Sequence, residues 1–259
     1  MAHFQVPVEL YMTRDVVSVL PADTLAHAHE TAIEHDVMSL PVIGEERLLG
    51  IISVTDLLRA GRREVGSSVQ GRALQFPSKP VSAVMTADVR TVSPDTHLAE
   101  AAGIMRKEFI HRLFVTKDGA VAGVVSTTDL LRAIEEKKVN HRVGDYMSSP
   151  VFTIRDQEPL GEAVERLDRG HASGLVVVED GWPVGIFSKR EAVDARDLPR
   201  SVAVGDVMSP KILVLPSTTS LHRAAAQASA LGVRRVVIQE GGEVAGILSG
   251  LDFARAVSG

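Results

Sequence analysis

The sequence lacks several features that define common classes of protein. It contains no cysteine, which excludes disulfide bonds, thiolate metal ligands and cysteine nucleophiles. Its apolar runs, such as Leu175 to Val178, are far shorter than the roughly 20 residues that a membrane helix needs. Residues Met1 to Tyr11 have neither the basic start nor the apolar stretch of a secretory signal. We therefore expect no membrane span and a cytoplasmic location.

The sequence also lacks an excess of positive charge and any recognisable catalytic motif. The formal net charge is -5, which argues against a nucleic-acid partner, because phosphate backbones are bound by concentrated Lys and Arg. There is no His-Glu-x-x-His, Walker-type loop or Gly-x-Ser-x-Gly elbow. His27 and His29 lie two residues apart on a predicted helix, so they face different sides and cannot share a metal there. We expect that the protein is not an enzyme and has no catalytic cofactor; an enzyme would require an acid, a base and a nucleophile in one cleft.

The strongest pattern that is present is a fourfold internal repeat. Each unit opens with Met followed by Thr or Ser, a Gly follows 38 residues after the Met, and a Ser follows 41 residues after it. The opening pairs are Met12-Thr13, Met85-Thr86, Met147-Ser148 and Met208-Ser209, the glycines are Gly50, Gly123, Gly185 and Gly246, and the serines are Ser53, Ser126, Ser188 and Ser249. Self-similarity at a fixed period indicates tandem copies of one supersecondary unit.

Each unit is predicted to fold as β-α-β-β-α, which places the chain in the α/β (α+β) class. A short β-branched stretch precedes apolar residues at helical spacing, and two further apolar runs flank a turn. The turns include Asp118-Gly119, Asp180-Gly181 and Gly241-Gly242, which tolerate positive φ in a two-residue hairpin. A single unit has too few helices to cover its sheet, so we expect neighbouring units to pack sheet to sheet.

The repeat spacing predicts two modules. Module 1 is assigned to residues 1–139, with repeats at about 5–62 and 81–137 and a polar surface linker at 63–80. Module 2 is assigned to residues 140–259, with repeats at about 142–197 and 201–258. Because the strand faces of repeats 1 with 2 and 3 with 4 are satisfied within each pair, this division predicts that each module folds independently.

A Ser-x-x-Asp/Glu sequence follows the second hairpin strand of every unit. The four copies begin at Ser53, Ser126, Ser188 and Ser249 and end at Asp56, Asp129, Glu191 and Asp252. This spacing is typical of a capping box, in which the Ser and the acid satisfy free N–H groups at a helix start. Capping alone is therefore one interpretation of all four copies.

Two copies carry an additional hydroxyl, at Thr55 and Thr128, where the other units have Arg190 and Leu251. Hydroxyls and free N–H groups at a positive helix start can bind phosphate, and an adjacent carboxylate can accept hydrogen bonds from both hydroxyls of a ribose. The same residues are therefore also consistent with half of a nucleotide site. The residues alone leave capping and nucleotide binding as open alternatives.

The Gly-x-x-Ser-x-Thr-Asp pattern, the opening Met-Thr and the stretch from His111 to Val115 resemble the CBS (cystathionine beta-synthase) domain. The resemblance covers about residues 5 to 258 and implies four CBS repeats arranged as two Bateman modules. It also implies regulatory binding of AMP, ADP, ATP or S-adenosylmethionine in the clefts between paired repeats. An unknown regulated protein would respond, and the disc-like assembly of the family would be completed within one chain or by a homodimer.

Carried onto this sequence, the resemblance implies two clefts in module 1. The first would join Ser53, Thr55 and Asp56 to a set of residues from repeat 2. Asp56 would hold the ribose, and Thr55, His111 and Arg112 would face the phosphates. The main chain at Val89 and Ile110 would frame the adenine. That repeat 2 set is Thr86, Val89, Arg90, Ile110, His111 and Arg112. The second cleft, which lacks a basic pair, would join Ser126, Thr128 and Asp129 to Thr13, Val17, Val37, Met38 and Ser39.

Module 2 departs from the family pattern. Asp252 would face Ser173 and Gly174 without a basic residue, whereas Arg234 and Arg235 would face Glu191, which is less suited than Asp to a tight grip on ribose. Arg234 and Arg235 are equally consistent with a solvated face or an ion pair. We therefore expect the strongest nucleotide binding in module 1, and a structural or protein-interaction module with empty clefts remains the alternative to a sensor.

Overall fold

The structure, a computed structural model, describes residues 4–64, 71–170 and 172–259. Repeat 1 comprises α1 (Leu25–Glu34), β1 (Ser39–Gly44), β2 (Arg47–Ser53) and α2 (Val54–Glu64). Repeat 2 comprises β3 (Thr91–Val92), α3 (Leu98–Glu108), β4 (Arg112–Lys117), β5 (Ala120–Ser126) and α4 (Thr127–Glu136). Repeat 3 comprises β6 (Thr153–Arg155), α5 (Leu160–Arg169), β7 (Gly174–Glu179), β8 (Trp182–Ser188) and α6 (Lys189–Asp194). Repeat 4 comprises β9 (Val214–Pro216), α7 (Leu221–Leu231), β10 (Val236–Glu240), β11 (Glu243–Leu248) and α8 (Gly250–Ser258).

The predicted β-α-β-β-α order is confirmed in repeats 2, 3 and 4, where the first strand is parallel to the first strand of the antiparallel hairpin. The hairpin turns have positive φ at both central residues, for example 53° at Asp118 and 83° at Gly119. In repeat 1 the first strand is reduced to a bridge between Val19 and Val42. The predicted stretch from Val16 to Leu20 therefore makes one rung of a ladder rather than a full strand.

The two repeats of each module meet through their sheets, and the repeated Met and Gly are the point of closest approach. A Cβ atom added at Gly50 would lie 2.6 Å from the sulfur of Met85 and 2.9 Å from the Thr86 carbonyl oxygen. Gly123 is in the same relation to Met12 and Thr13, at 2.8 Å from both. A side chain at either position would force the two repeats apart, which explains why Met and Gly recur together.

The opening segment of each repeat packs into the core of its partner. A short 3-10 turn precedes every opening Met, at Val8–Leu10, Val81–Ala83, Val143–Asp145 and Val204–Asp206. Val8 and Met12 of repeat 1 join the cluster that contains the helices of repeat 2, and Val81 and Met85 join the cluster of repeat 1. This exchange of opening segments ties the repeats of a module together.

The helices pack across the modules rather than within them. One apolar cluster combines the helices of repeats 2 and 4, including Leu98, Met105, Leu221 and Phe253, which are all almost completely buried. A second cluster combines repeats 1 and 3 in the same way, and a smaller one lies between the sheets of module 2. Each module therefore supplies the cover for the helical faces of the other, and the layered assembly is completed within one chain. No helix among the described residues has the length and apolar character to span a membrane.

The interpretation of 63–80 as a surface linker is wrong for part of that segment. Ala73 and Leu74 are buried in the cluster of repeats 1 and 3, and their N–H groups donate to Leu198 and Arg196 of module 2. Phe76 packs against the same cluster. These apolar side chains account for the difference, because exposing them would be unfavourable. The part of the linker at 65–70 lies outside the described residues.

The packing of the helices changes the expectation that each module folds independently. Fragments 1–139 and 140–259 would each expose the helical faces that the other buries, and such apolar surface promotes association. We expect each fragment to self-associate when expressed alone and the two to form a 1:1 complex when co-expressed. Size-exclusion chromatography with light scattering measures both outcomes. Two stable monomers that do not bind each other would contradict this prediction, and the boundary itself remains a prediction.

Candidate functional site

All four Ser-x-x-Asp/Glu sequences form the predicted helix caps. In each, a carboxylate oxygen accepts hydrogen bonds from the N–H and the hydroxyl of the Ser. For Asp56 the two distances to Ser53 are 2.9 and 2.5 Å, and for Asp129 both distances to Ser126 are 2.8 Å. Capping therefore uses one oxygen of each carboxylate. The other oxygen decides whether the acid can also hold a ligand.

The second oxygen distinguishes the four acids. Within the described part of the chain, Oδ1 of Asp56, Oδ1 of Asp129 and Oε1 of Glu191 receive no hydrogen bond from protein. Oδ1 of Asp252, by contrast, accepts a hydrogen bond of 2.8 Å from the hydroxyl of Ser148, and the residue is only 7% exposed. A ribose at Asp252 would have to displace Ser148. Gly250 also lies close to Thr127, and this contact narrows the space beside Asp252.

Backbone pairing places Thr86, one of the residues predicted for the first cleft, beside the strand that leads to Asp56. Thr86 exchanges two main-chain hydrogen bonds of 2.9 Å with Ile51, so the start of repeat 2 runs beside the end of β2 and the following Thr55 and Asp56. Val89 and Ile110 are partly buried, as expected for residues that would frame an adenine. Arg90 is exposed and forms an ion pair of 2.6 Å with Glu108, so its guanidinium is already neutralised.

The second cleft of module 1 is built by the equivalent pairing of Thr13 with Val124, again through two main-chain hydrogen bonds of 2.9 Å. Ser126, Thr128 and Asp129 follow Val124 at the end of β5 and the start of α4. Burial raises the pKa of Asp129, while the hydrogen bonds from Ser126 oppose that shift. Val17, Val37 and Met38 pack instead against the cluster of repeats 1 and 3.

Ser39 is a buried polar residue without a partner. It is 8% exposed, and among the described residues its hydroxyl is the buried side-chain oxygen or nitrogen that lacks a hydrogen bond. Leu40 and Val42 belong to the helical cluster, so strand alternation turns Ser39 and Pro41 toward the sheet of repeat 2. An unsatisfied buried hydroxyl is unfavourable, and a ligand in the cleft could satisfy it.

Cations from three repeats converge where the helices of the two modules begin. The pKa of His111 falls from 6.5 to about 4, because burial and the charges of Arg112, Arg235 and Lys189 disfavour its protonated form. Burial and the charge of Arg234 lower the pKa of Arg112 to about 10, and Asp129 opposes that shift. Burial also lowers the pKa of Arg235 to about 10, and Glu191 opposes that shift. We call Arg112, Lys189, Arg234 and Arg235 the central cations, and His111 lies among them as a neutral imidazole.

The central cations are incompletely neutralised. Within the described ranges, the Arg112 guanidinium forms no hydrogen bond and no ion pair, and the Arg235 guanidinium donates only to the Ser173 carbonyl. Lys189 also has a lowered pKa, chiefly through burial and then through Arg59 and Arg235, with Asp168 and Asp56 opposing. Positive charge gathered in this way creates a local potential that favours an anion.

An open cleft in module 2 borders these cations. It is lined by the cap residues Ser188 and Glu191, by residues of repeats 3 and 4 that include Arg190, Ser209, Lys211, Arg234 and Arg235, and by Met38 of repeat 1. We call this space the Glu191 cleft. It is the module 2 counterpart of the cleft at Asp56, because Ser209 bonds to Ile186 as Thr86 bonds to Ile51.

Sequence reasoning did not identify Lys189, Arg190, Lys211 or the role of Met38 in module 2 as features of a site. Lys189 and Arg190 directly follow the cap residue Ser188, and this position is the feature of the sequence that could have indicated a role in a site. The convergence with His111 and Arg235 depends on packing between modules and has no local signature. Among the described residues, no cluster of three or more His, Asp or Glu side chains is arranged to hold a metal ion.

Comparisons with known proteins support this arrangement of four repeats. The CBS domain family model matches residues 8–63, 81–136, 143–197 and 204–259. The crystal structure of protein MJ1225 from Methanocaldococcus jannaschii, described as an archaeal homolog of g-AMPK, superposes with a TM-score of 0.81 over 97% of this chain and 99% of that chain, at 19% sequence identity. At that identity the likeness shows the fold.

Two curated relatives match by sequence over part of their length. The inosine-5'-monophosphate dehydrogenase of Korarchaeum cryptofilum is 30% identical over 176 residues, which are 66% of this chain and 31% of the dehydrogenase. The uncharacterized protein MJ1404 of Methanocaldococcus jannaschii is 27% identical over 187 residues, which are 70% of this chain and 44% of that protein. The chain thus spans less than half the length of either relative.

The depressed pKa of His111 predicts acid sensitivity. In the unfolded chain the imidazole titrates near 6.5, whereas in the fold it stays neutral until about pH 4, so stability is lost as the pH falls through this window. We expect His111→Gln to reduce the loss between pH 7 and pH 5 by on the order of 1 to 2 kcal/mol. Urea unfolding at several pH values measures it. His97→Gln, at an exposed histidine, is the control; equal changes in both variants would contradict the prediction.

Proposed function

The chain belongs to the CBS-domain family, and from that premise we propose that it is a regulatory protein that binds an adenine nucleotide between paired repeats. In this proposal the occupancy of the clefts is transmitted to a regulated partner protein, and the chain itself catalyses no reaction. The observation that carries the proposal is the convergence of the central cations beside carboxylates that keep one oxygen free of hydrogen bonds from the described residues.

The phosphate groups of the ligand would be held by the central cations. Burial, with a smaller effect of Arg234, lowers the pKa values of Arg112 and Arg235 to about 10, and an anion would relieve the unfavourable burial of these charges. Guanidinium groups suit phosphate because two of their N–H groups can bind its oxygens together. His111 is neutral at pH 7 and would contribute a single N–H donor.

The nucleoside would be held by the remaining groups of each cleft. The free oxygen of Asp56 is available to the ribose hydroxyls, and the main chain at Val89 and Ile110 would face the adenine. In the second cleft Asp129 would hold the ribose with Thr128 and Ser126 beside it, and Ser39 would donate its unpaired hydroxyl. Asp252 is the weakest candidate, because Ser148 already occupies its second oxygen.

The charge of the clefts favours some adenosyl ligands over others. AMP, ADP and ATP bring negative phosphates to the central cations, whereas S-adenosylmethionine brings a positive sulfonium that the same groups would repel. We therefore place the nucleotides ahead of S-adenosylmethionine. The second candidate function is a structural or protein-interaction module whose clefts remain empty.

Ligand-dependent stability separates these two functions. A ligand that binds only the folded state at one hundred times its Kd raises the free energy of unfolding by about 2.7 kcal/mol. We expect AMP, ADP or ATP to raise the unfolding temperature and S-adenosylmethionine to raise it less. Thermal unfolding with each ligand at equal concentration measures this, with inosine as the control for the base. No shift with any adenosyl ligand would favour the structural module.

The substitution Asp56→Glu separates ribose recognition from capping. Glu191 shows that Glu makes the same cap in repeat 3, so the unliganded variant should keep nearly normal stability. The carboxylate moves outward by one methylene, and losing good hydrogen bonds to a charged group costs about 1.5 to 3 kcal/mol, or roughly ten- to a hundredfold in affinity. Calorimetric titration of the nucleotide and unfolding without ligand measure both effects.

The control for this substitution is Asp206→Glu, which makes the same chemical change at an exposed aspartate. It should change neither affinity nor stability. If Asp56→Glu instead lowers the stability of the unliganded protein and leaves nucleotide affinity unchanged, Asp56 is a helix cap alone and the proposed ribose contact is wrong.

A further inference from the structure

Asp36 belongs to module 1, yet its interactions are with arginines of module 2. It follows α1, with a left-handed φ of 49°. Its Oδ1 atom accepts a hydrogen bond of 2.6 Å from Nη1 of Arg190 and lies 3.4 Å from Nη2 of Arg234. The same Nη2 donates to the Asp36 carbonyl oxygen at 2.9 Å. One residue of repeat 1 thus contacts guanidinium groups from repeats 3 and 4.

Both arginines line the Glu191 cleft, and so does Met38, two residues after Asp36. Arg190 stands where repeats 1 and 2 have Thr55 and Thr128, and Arg234 stands where repeat 2 has His111. These are the positions at which module 2 departs from the nucleotide-binding pattern. The structure offers a reason for arginine at these two positions, because both guanidinium groups interact with the Asp36 carboxylate of module 1.

A second contact keeps α1 attached to repeat 3 independently of Asp36. His29 on α1 is 2% exposed, and its Nε2 atom lies 2.8 Å from Oδ1 of Asp194. Its Nδ1 atom lies 3.0 Å from Nη1 of Arg196. Arg190 also lies 3.7 Å from Asp194, which gives its side chain a second anchor. The contact at Asp36 can therefore break without separating the modules.

We propose that Asp36 determines the charge specificity of the Glu191 cleft by competing, as an internal carboxylate, with ligand phosphate for Arg190 and Arg234. This inference rests on the proposed function for the cleft. The Asp36 side chain is 74% exposed, so water can solvate it when a ligand takes the arginines. A phosphate-bearing ligand can displace it, whereas uncharged adenosine gains nothing from doing so.

The position of Asp36 gives this competition a route to module 1. Residues 35 to 38 connect α1 to β1, which begins at Ser39, and the buried hydroxyl of Ser39 faces the sheet of repeat 2. Displacement of Asp36 therefore alters the segment that leads directly to Ser39. An anion bound in the Glu191 cleft would in this way affect the position of Ser39 in module 1.

The test is calorimetric titration of the full-length protein with inorganic pyrophosphate, at low ionic strength, for wild type and Asp36→Asn. Asn keeps the left-handed backbone and removes the charge. We expect Asp36→Asn to bind pyrophosphate about three- to tenfold more tightly, the size expected when one or two partly exposed charge pairs no longer compete. Asp118→Asn makes the same change at an exposed aspartate with φ of 53° and should leave the affinity unchanged.

A coupling experiment locates the effect. If Asp36 acts through these two arginines, then in an Arg190→Gln/Arg234→Gln background the substitution Asp36→Asn should change pyrophosphate affinity less than twofold. The unliganded Asp36→Asn variant should also unfold at a slightly lower temperature, because two ion-pair contacts are lost. A residue with a merely structural role would give that lower temperature without the gain in anion affinity.

The outcomes separate this inference from the proposed function. If wild type binds AMP, ADP or ATP but Asp36→Asn leaves pyrophosphate affinity unchanged, or Asp118→Asn changes it equally, the role of Asp36 is overturned and the sensor stands. If Asp36→Asn gains pyrophosphate affinity while no nucleotide binds, the role of Asp36 stands and the nucleotide sensor is wrong. Absence of binding of either kind of ligand to any variant overturns both.

Discussion

Each repeat has a hairpin with two apolar faces and only enough helix to cover one of them, and this shortage governs the whole molecule. The uncovered strand faces are buried by the partner repeat within a module, where Met85 and Met12 sit against Gly50 and Gly123. The remaining helical faces are buried by the other module, in one cluster for repeats 1 and 3 and another for repeats 2 and 4. Burial of both faces requires all four repeats.

The same packing creates the electrostatics of the interior. Pairing the sheets aligns the start of one repeat with the acid of its partner, and packing the helices brings the helix starts of both modules together. Arg112, Lys189, Arg234 and Arg235 are thereby held near one another despite their mutual repulsion, with the neutral His111 among them. Burial and then the charges of neighbouring cations lower the pKa values of His111, Arg112, Lys189 and Arg235. The apolar contacts outweigh that repulsion, and the protein retains a charged interior that an anion would stabilise.

The four clefts are related by the repeat, but they differ in their charge and in whether the second oxygen of the acid is available to a ligand. The cleft at Asp56 is proposed to combine that acid with His111 and Arg112, and the cleft at Asp129 is proposed to include Ser39, whose hydroxyl has no hydrogen bond among the described residues. The Glu191 cleft has two arginines that share Asp36, whereas Asp252 is closed by Ser148. The repeat gives the four clefts the same backbone, and differences in a few side chains make the four sites unequal.

Local residue spacing was enough to predict the features that depend on residues a few positions apart. The fourfold repeat, the hairpin turns at Asp118-Gly119 and its equivalents, and the caps from Ser53 to Asp56 all follow from local spacing, since a cap joins residues only three apart. The CBS family also follows from these repeated patterns. The clefts assigned to Asp56 and Asp129 remain predictions, and backbone pairing places Thr86 and Thr13 beside the strands that lead to these acids.

The features that join distant parts of the chain could be seen only in the packed fold. Asp36 is separated by 154 positions from Arg190 and by 198 from Arg234, and Ser148 by 104 from Asp252. The burial of Ala73 and Leu74 likewise depends on module 2, although the segment around them is polar. Such contacts have no periodic signature, because they arise from the angle at which two modules pack, and that angle is set by the shape of the complete apolar clusters rather than by any local pattern.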